Sequence, residues 1–456
     1  MMENTMTQIR PGPHRAPRGT GRGGLFGAMA LVLAVGLMAL TPGRGLAQTY
    51  AIQGGTVHTL NGEAFVGTVV IRDGQIVAVG PDVQVPADAE VVDVTGKHVY
   101  PGMFDAVSAL GLTEIGQVDV TNDAREQGDF NPHLQAATAI HPATEHIPVA
   151  RANGITHTMA APQGGIISGQ ASLVGLDGWT VEEMFIDPGA AMVINYPSLG
   201  GGGGRFGGFG GGGQRSFAEQ RERYEGQVTQ LNEWMEAARA YAQAVAAGGD
   251  VRRDLKLEAM AKVVSGEMPV LLSANGERNI RNAVGWAQEQ EIRFVITGGR
   301  EAWKIADWLA EEDVQLILSG TQTMPAGPDE NYAEAYQNPG RLHAAGVKFA
   351  MGTFGSSNSR LLPYEASMAI PYGLPPEAAL EAIMKNGPEM LGLGDRMGTI
   401  EEGKIANLMV TDGDPLEIQT QVTDLFILGR GVSLDNKHLA LYEKYRSRPR
   451  PDRPVS

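Results

Sequence analysis

Pro269-Val-Leu-Leu-Ser-Ala274, Arg293-Phe-Val-Ile-Thr297, Val314-Gln-Leu-Ile-Leu318 and Val347-Lys-Phe-Ala-Met351 are four short apolar runs whose starts lie 24, 21 and 33 residues apart. The segments between them, Asn279–Gln290, Glu301–Glu311 and Glu330–Ala345, have the amphipathic spacing of helices. Repeated strand-then-helix units of this length imply a parallel sheet, because parallel neighbours need a crossover between them. Working outward, Ile155–Ala160 reads as another strand and Pro376–Leu391 as another helix. Val99 to Arg396, about 300 residues, suits a closed barrel of eight such units. A doubly wound open sheet is the alternative on pattern alone.

The flanks read differently. From Tyr50 to Val99 the chain is a series of short strands. Thr68–Arg72 and Gln75–Val79 flank Asp73-Gly74, a hairpin signal because both turn residues tolerate positive φ. Glu90–Val94 is a further strand, and Ala406–Val432 returns to strand-like sequence. The expected organisation is a small β-sandwich from residues 48–98 and 397–440 with the barrel, residues 99–396, between its halves.

The ends and one insert stand apart. Arg10, Arg15, Arg18 and Arg22 precede the uncharged apolar run Leu25–Leu40, and Gly45-Leu46-Ala47 follows with small residues for cleavage. This is the pattern of a secretory signal peptide over residues 1–47, predicting export, for a bacterial chain to the periplasm. The run is shorter than the roughly 20 residues that span a bilayer comfortably, so an uncleaved anchor is the less fitting reading and no stable span is expected after cleavage. Residues 200–213 are nearly all Gly and are expected to form a flexible loop; they lack the preceding strand and following helix of a phosphate cradle. A long helix is expected from Phe217 to Ala247, and residues 447–456 form an Arg/Pro-rich tail expected to be disordered.

The net charge of the 456-residue chain is −16, and loss of the leader's five Arg and one Glu makes it more negative. Such a surface repels nucleic acid and anionic membranes. With no Cys, disulfides, thiol nucleophiles and thiolate metal sites are excluded.

Three stretches carry a family resemblance: Val99-Tyr-Pro-Gly-Met-Phe-Asp-Ala106 after the small β unit; Gly373-Leu374, Ala378–Ile383 and Asn386-Gly-Pro-Glu-Met-Leu-Gly392; and Gly398–Leu408 followed by Asp412-Gly-Asp-Pro-Leu416. Together they resemble the amidohydrolase superfamily, in its imidazolonepropionase-like branch. The third stretch contains a P-loop mimic, Gly398-x4-Gly403-Lys404, but Ile405 stands where Mg²⁺ binding needs Ser or Thr, and a strand follows where a helix is required. The resemblance implies a (β/α)8 TIM-like barrel with a small β-sandwich built from both chain ends. It also implies one or two divalent metals at the C-terminal mouth, where metal-activated water hydrolyses a C–N bond. Ligands in active members are a His-x-His on the first barrel strand and a His on each of the fifth and sixth. An Asp on the eighth acts as base.

This chain departs from that pattern at each of those strands. Val107-Ser-Ala109 stands for His-x-His. Leu272-Ser-Ala-Asn275 ends the fifth strand, Gly298 takes the His position of the sixth, and Phe354 takes the Asp position of the eighth. Hydrocarbon side chains have no lone pair to give, and zinc favours imidazole, thiolate and carboxylate over neutral oxygen. Of eight His left after the leader, none forms His-x-His or His-x3-His. His141 and Glu145 would share a helix face, with His146 beside them, although an exposed polar segment is the plainer reading. His157, in the Ile155–Ala160 strand, is the one weak catalytic candidate, against a structural role in the barrel wall. Glu114, Asn275, Arg300 and Arg360 fall just past strands one, five, six and eight, where side chains face a barrel's pocket. Arg300 and Arg360 suit a carboxylate, or else surface ion pairs. The expectation is a metal-free, catalytically degenerate member that binds a small ligand or an active amidohydrolase relative. The rivals are an active exported C–N hydrolase with a divergent site, recruiting His133, His141 or His157 and zinc, and a purely structural subunit of a homo- or hetero-oligomer.

Overall fold

The computed structural model describes residues 48–199, 216–325 and 330–449. The leader, the Gly-rich segment 200–213 and residues 450–456 of the tail lie outside the described residues.

Both chain ends feed one sheet. Its strands are β1 (Tyr50–Val57), β2 (Phe65–Arg72), β3 (Gln75–Gly80), β4 (Glu90–Asp93) and β5 (His98–Pro101). Asp73 and Gly74 turn the β2–β3 hairpin, both at positive φ (52° and 83°), as the sequence requires. β1 runs antiparallel to β2, and is parallel to β4 through its first half and to β5 through its second. That branching wraps the sheet around Ile52, Val69, Ile71, Val99, Leu408 and Phe426, all buried. Each such side chain contributes about 1.5–3 kcal/mol on leaving water.

The barrel strands follow in chain order around the wall: β6 (Met103–Ser108), β7 (Ile155–Ala160), β8 (Ile167–Gly175), β9 (Phe185–Asn195), β10 (Val270–Ala274), β11 (Phe294–Gly298), β12 (Leu316–Leu318) and β13 (Phe349–Met351). Most neighbours are parallel, but β8 runs antiparallel to both β7 and β9. The expectation of uniformly parallel units fails there. Residues 161–166 and 176–184 connect these strands without a crossover helix longer than the one turn Val181–Met184, which antiparallel neighbours permit. β8 is also bridged by the loop after β6, whose residues Phe130 and Gln135 meet Ile167 and Gln170.

β13 returns beside β6. The Phe354 amide donates to the Val107 carbonyl (2.8 Å) and the Ala109 amide to the Gly355 carbonyl (3.3 Å), so the barrel is nearly closed. A Cβ on Gly352 would lie 2.8 Å from the Val107 nitrogen, which is why glycine sits at this approach. Inside, Phe104, Met159, Leu173, Val193, Leu271 and Ile317 pack into a solid filling rather than a pore. Helices Phe217–Ala246, Leu255–Val264, Glu277–Glu289, Glu334–Ala344 and Pro376–Met384 lie outside the wall. The fold is therefore α/β, with an eight-strand barrel and a separate sheet.

The last segment, β14 (Leu408–Thr411), β15 (Val422–Ile427) and β16 (Arg430–Gly431), joins the first sheet through β14 against β5. Helix Lys437–Arg446 then crosses the boundary at residue 440 expected for the sandwich.

Candidate functional site

The C-terminal ends of the parallel strands form one end of the barrel, and Val107, Ala109, Asn275, Gly298 and Phe354 all lie there. Two contacts among them are direct, Phe354 with Val107 and Asn275 with Gly298. On one side of the mouth, the amide of Phe354 is tied to Val107, and its ring packs against the barrel filling. Val107 and Ala109 are buried. Phe354 takes a left-handed φ of 54°, uncommon for a bulky residue, held by the seam around it. On the other side, a Cβ built on Gly298 would lie 2.4 Å from Asn275 Oδ1, so the amide of Asn275 fills the space a side chain at 298 would need. Gly298 also has φ 99°, and Gly299 follows at 60°.

The polar candidates scatter. Asn275 lines a cavity of about 800 Å³ with Tyr224, Arg278, Asn279 and Glu301. Arg300 donates to the Met324 carbonyl (2.6 Å) and to Glu330 (3.2 Å). Arg360 donates to the Ser357 carbonyl, and its own carbonyl receives the Asn153 amide (2.7 Å). Each guanidinium is thus engaged by a carbonyl of its own neighbourhood. Glu114 accepts the Thr144 hydroxyl, and its carbonyl meets His146 Nε2 (2.9 Å). The helix that would have aligned His141 with Glu145 begins only at His146, so that pair does not share a helix face.

His157 lies near the other end of the barrel, in register with Phe104 and Gly175. Its ring stacks on Phe104 at 4.8 Å, and Nδ1 pairs with the Thr156 hydroxyl at 2.7 Å. Nε2 is buried with no partner. Burial drives its pKa down to about 3, so the imidazole is neutral. This is a wall residue, not one facing the mouth.

A model of the amidohydrolase family matches residues 309–436. The crystal structure of an amidohydrolase from Thermotoga maritima superposes with a TM-score of 0.73 at 26% identity, covering 84% of this chain and 99% of that one. Residues 309–436 thus carry the sequence pattern of the amidohydrolase family, and the described chain shares the fold of the Thermotoga protein. An amidohydrolase, tasK, of Hapsidospora irregularis is 24% identical over 394 residues, 80% of this chain but 40% of that protein. A dihydroorotase of Mycobacterium tuberculosis is 33% identical over 131 residues, 27% of this chain and 30% of the enzyme. The chain thus spans well under half the length of these curated relatives where it matches them.

Beside the ligand set that the family resemblance implies, the mouth has an unusual donor set. Two hydrocarbons, a glycine, an amide and a phenyl ring offer a divalent ion one neutral oxygen, which does not fit zinc. Among the described residues, no group of three or more His, Asp or Glu is placed to hold a metal ion.

One buried acid escaped the sequence reading. Asp105, fully buried on β6, accepts the Thr353 amide (2.9 Å), the Thr353 hydroxyl (2.5 Å) and the Ser359 hydroxyl (2.7 Å). Burial raises its pKa to about 7, against the pull of these hydrogen bonds. Asp105 pins the loop after β13, and with it Phe354, to β6. Its place two residues before the His-x-His position was visible, but its burial was not.

Proposed function

We propose that this amidohydrolase-superfamily protein, of the imidazolonepropionase-like branch, is an exported, metal-free and catalytically degenerate member that binds a small ligand at the barrel mouth. The observation that carries this is the donor set at the mouth, where Val107, Ala109, Gly298 and Phe354 offer a metal ion no side-chain lone pair. Asn275 occupies the room a side chain at 298 would take, and Phe354 is bonded to the backbone of Val107. Asn275 and Arg300, which follow the adjacent strands β10 and β11, are the side chains proposed to meet the ligand. The fold does not decide activity; the site does.

The test is a hydrolysis assay of the leaderless chain on N-acyl amino acids and small cyclic amides, with zinc, cobalt or manganese added in turn. The expected result is no metal-dependent turnover. Turnover that rises with one of these ions and saturates with substrate would establish the rival reading, an active hydrolase with a divergent site.

A further inference from the structure

The end of the barrel opposite the mouth carries a polar crevice with unsatisfied hydrogen-bond donors. Arg151 closes helix His146–Arg151, just before β7, and residues 176–180 follow the antiparallel β8, so both lie at this end. The Arg151 side chain is 15% exposed and pairs through Nη1 with Asp177 Oδ1 at 3.1 Å. Its Nε is buried and has no hydrogen-bond partner. Burial lowers the Arg151 pKa, with Asp177 pulling the other way, so one carboxylate does not fully compensate this cation. Arg430, at β16, approaches from the other side, donating Nε to Asp177 Oδ2 (3.1 Å) and Nη2 to the Asp177 carbonyl (3.0 Å).

Two adjoining hollows of about 180 and about 500 Å³ open here, both bounded by Arg151, Asp177 and Gly178. Beside the larger one stands Trp179, whose side chain is almost wholly in water at 93% exposure. Tryptophan is a large apolar surface with one donor, and such residues concentrate where something binds. The acceptors nearby are already engaged. Asp177 receives both arginines, and Glu183 accepts the Trp179 amide at 2.9 Å. What remains uncommitted is the Nε edge of Arg151, Nη1 of Arg430, the Trp179 indole N–H and its ring face.

We infer that this crevice is a second binding site, distinct from the mouth, for a small monocarboxylate with a flat apolar body. The carboxylate meets Nη1 of Arg430 and the Trp179 indole N–H, and the buried Arg151 cation behind Asp177 adds to the attraction. The flat body covers Trp179. Glu145 and Glu183 at the rim turn away more highly charged anions such as phosphate esters.

The test is ligand-observed fluorine NMR on the leaderless chain with para-fluorobenzoate, and with para-fluorobenzamide as its uncharged counterpart. Saturable binding of the acid is expected, about tenfold or more weaker for the amide. Trp179→Ala should abolish it, and Arg430→Gln should weaken it about tenfold. Both residues are at the surface, and unchanged thermal unfolding in each variant would separate loss of binding from loss of fold. No saturable binding overturns the site. So does binding that survives both substitutions and disappears with Asn275→Ala, which would belong to the mouth. The mouth reading stands or falls separately, on metal-dependent hydrolysis.

Discussion

The two ends of the barrel differ in the polar groups that they leave uncommitted. In a barrel of this kind the mouth carries the chemistry and the opposite end carries stability. Here the positions that the family resemblance assigns to metal ligands hold Val107, Ala109, Gly298 and Phe354, with Val107 and Ala109 tied by backbone bonds to Phe354 and Gly355 and Gly298 set against Asn275. The opposite end holds the orphaned imidazole nitrogen of His157, the orphaned guanidinium nitrogen of Arg151 and the exposed Trp179. The difference teaches that backbone seams and side-chain volume can fill the positions where ligands are expected, while uncommitted polar groups stand at the other end of the same barrel.

The contrast can be broken most forcefully at the base. Phe104 is fully buried and stacks on His157, so Phe104→Ala should cost about 3–5 kcal/mol in urea unfolding, through lost burial and a cavity. A cost under 1 kcal/mol would mean that this end is not tightly packed.

At the mouth, Gly298→His puts a Cβ against Asn275 Oδ1 and onto a φ of 99°. It should cost on the order of 2–3 kcal/mol. Adding Asn275→Gly should recover roughly 1 kcal/mol or more, since contacting residues do not add. Strict additivity in that cycle would show that the two positions are not fitted to each other.

Opposite pH responses sharpen the comparison. Asp105, at the seam leading to the mouth, holds its proton more tightly folded (pKa about 7) than its ordinary 3.8. Its contribution is complete below pH 3.8 and is lost as pH rises through 7. His157 has a folded pKa of about 3 against 6.5, so its contribution is complete above pH 6.5 and is lost as pH falls towards 3. At about 1.4 kcal/mol per unit, each amounts to something on the order of 4 kcal/mol, and the two nearly cancel where they overlap. Unfolding stability should therefore change little between pH 4 and 6.5 from these groups. Asp105→Asn should give a protein that loses stability on acidification across that window. His157→Gln should give one that loses stability as pH rises. Parallel profiles for the two variants would contradict this.

The smallest effect is expected at Arg300. Its ion pair with Glu330 is partly exposed, so Arg300→Ala should change stability by no more than about 1 kcal/mol while weakening any ligand held at the mouth.

Much of the architecture was legible. The strand at Ile155–Ala160 matches the sequence reading in full, and those at 269–351 match in place and order, because alternation of apolar strand and amphipathic helix is a local signal. β8 was missed. Ile167-Ser-Gly-Gln-Ala-Ser-Leu-Val-Gly175 mixes small and polar residues, and its direction depends on which neighbours it finds, not on its own periodicity. At the mouth, the identity of each departed position was legible, since a missing His is a fact of sequence. That Asn275 fits over Gly298 was not, because the contact joins residues on separate strands. Nor was the meeting of Arg151, Asp177 and Arg430, which come from a helix, a loop and the far sheet.

The account turns on whether the mouth holds a divalent ion, and elemental analysis of the leaderless protein after dialysis against a chelator-free buffer addresses that most directly. The lack of side-chain lone pairs at Val107, Ala109, Gly298 and Phe354 predicts far less than one equivalent of zinc, manganese, iron or cobalt per chain. One or two equivalents retained, and lost on Asn275→Ala, would contradict it.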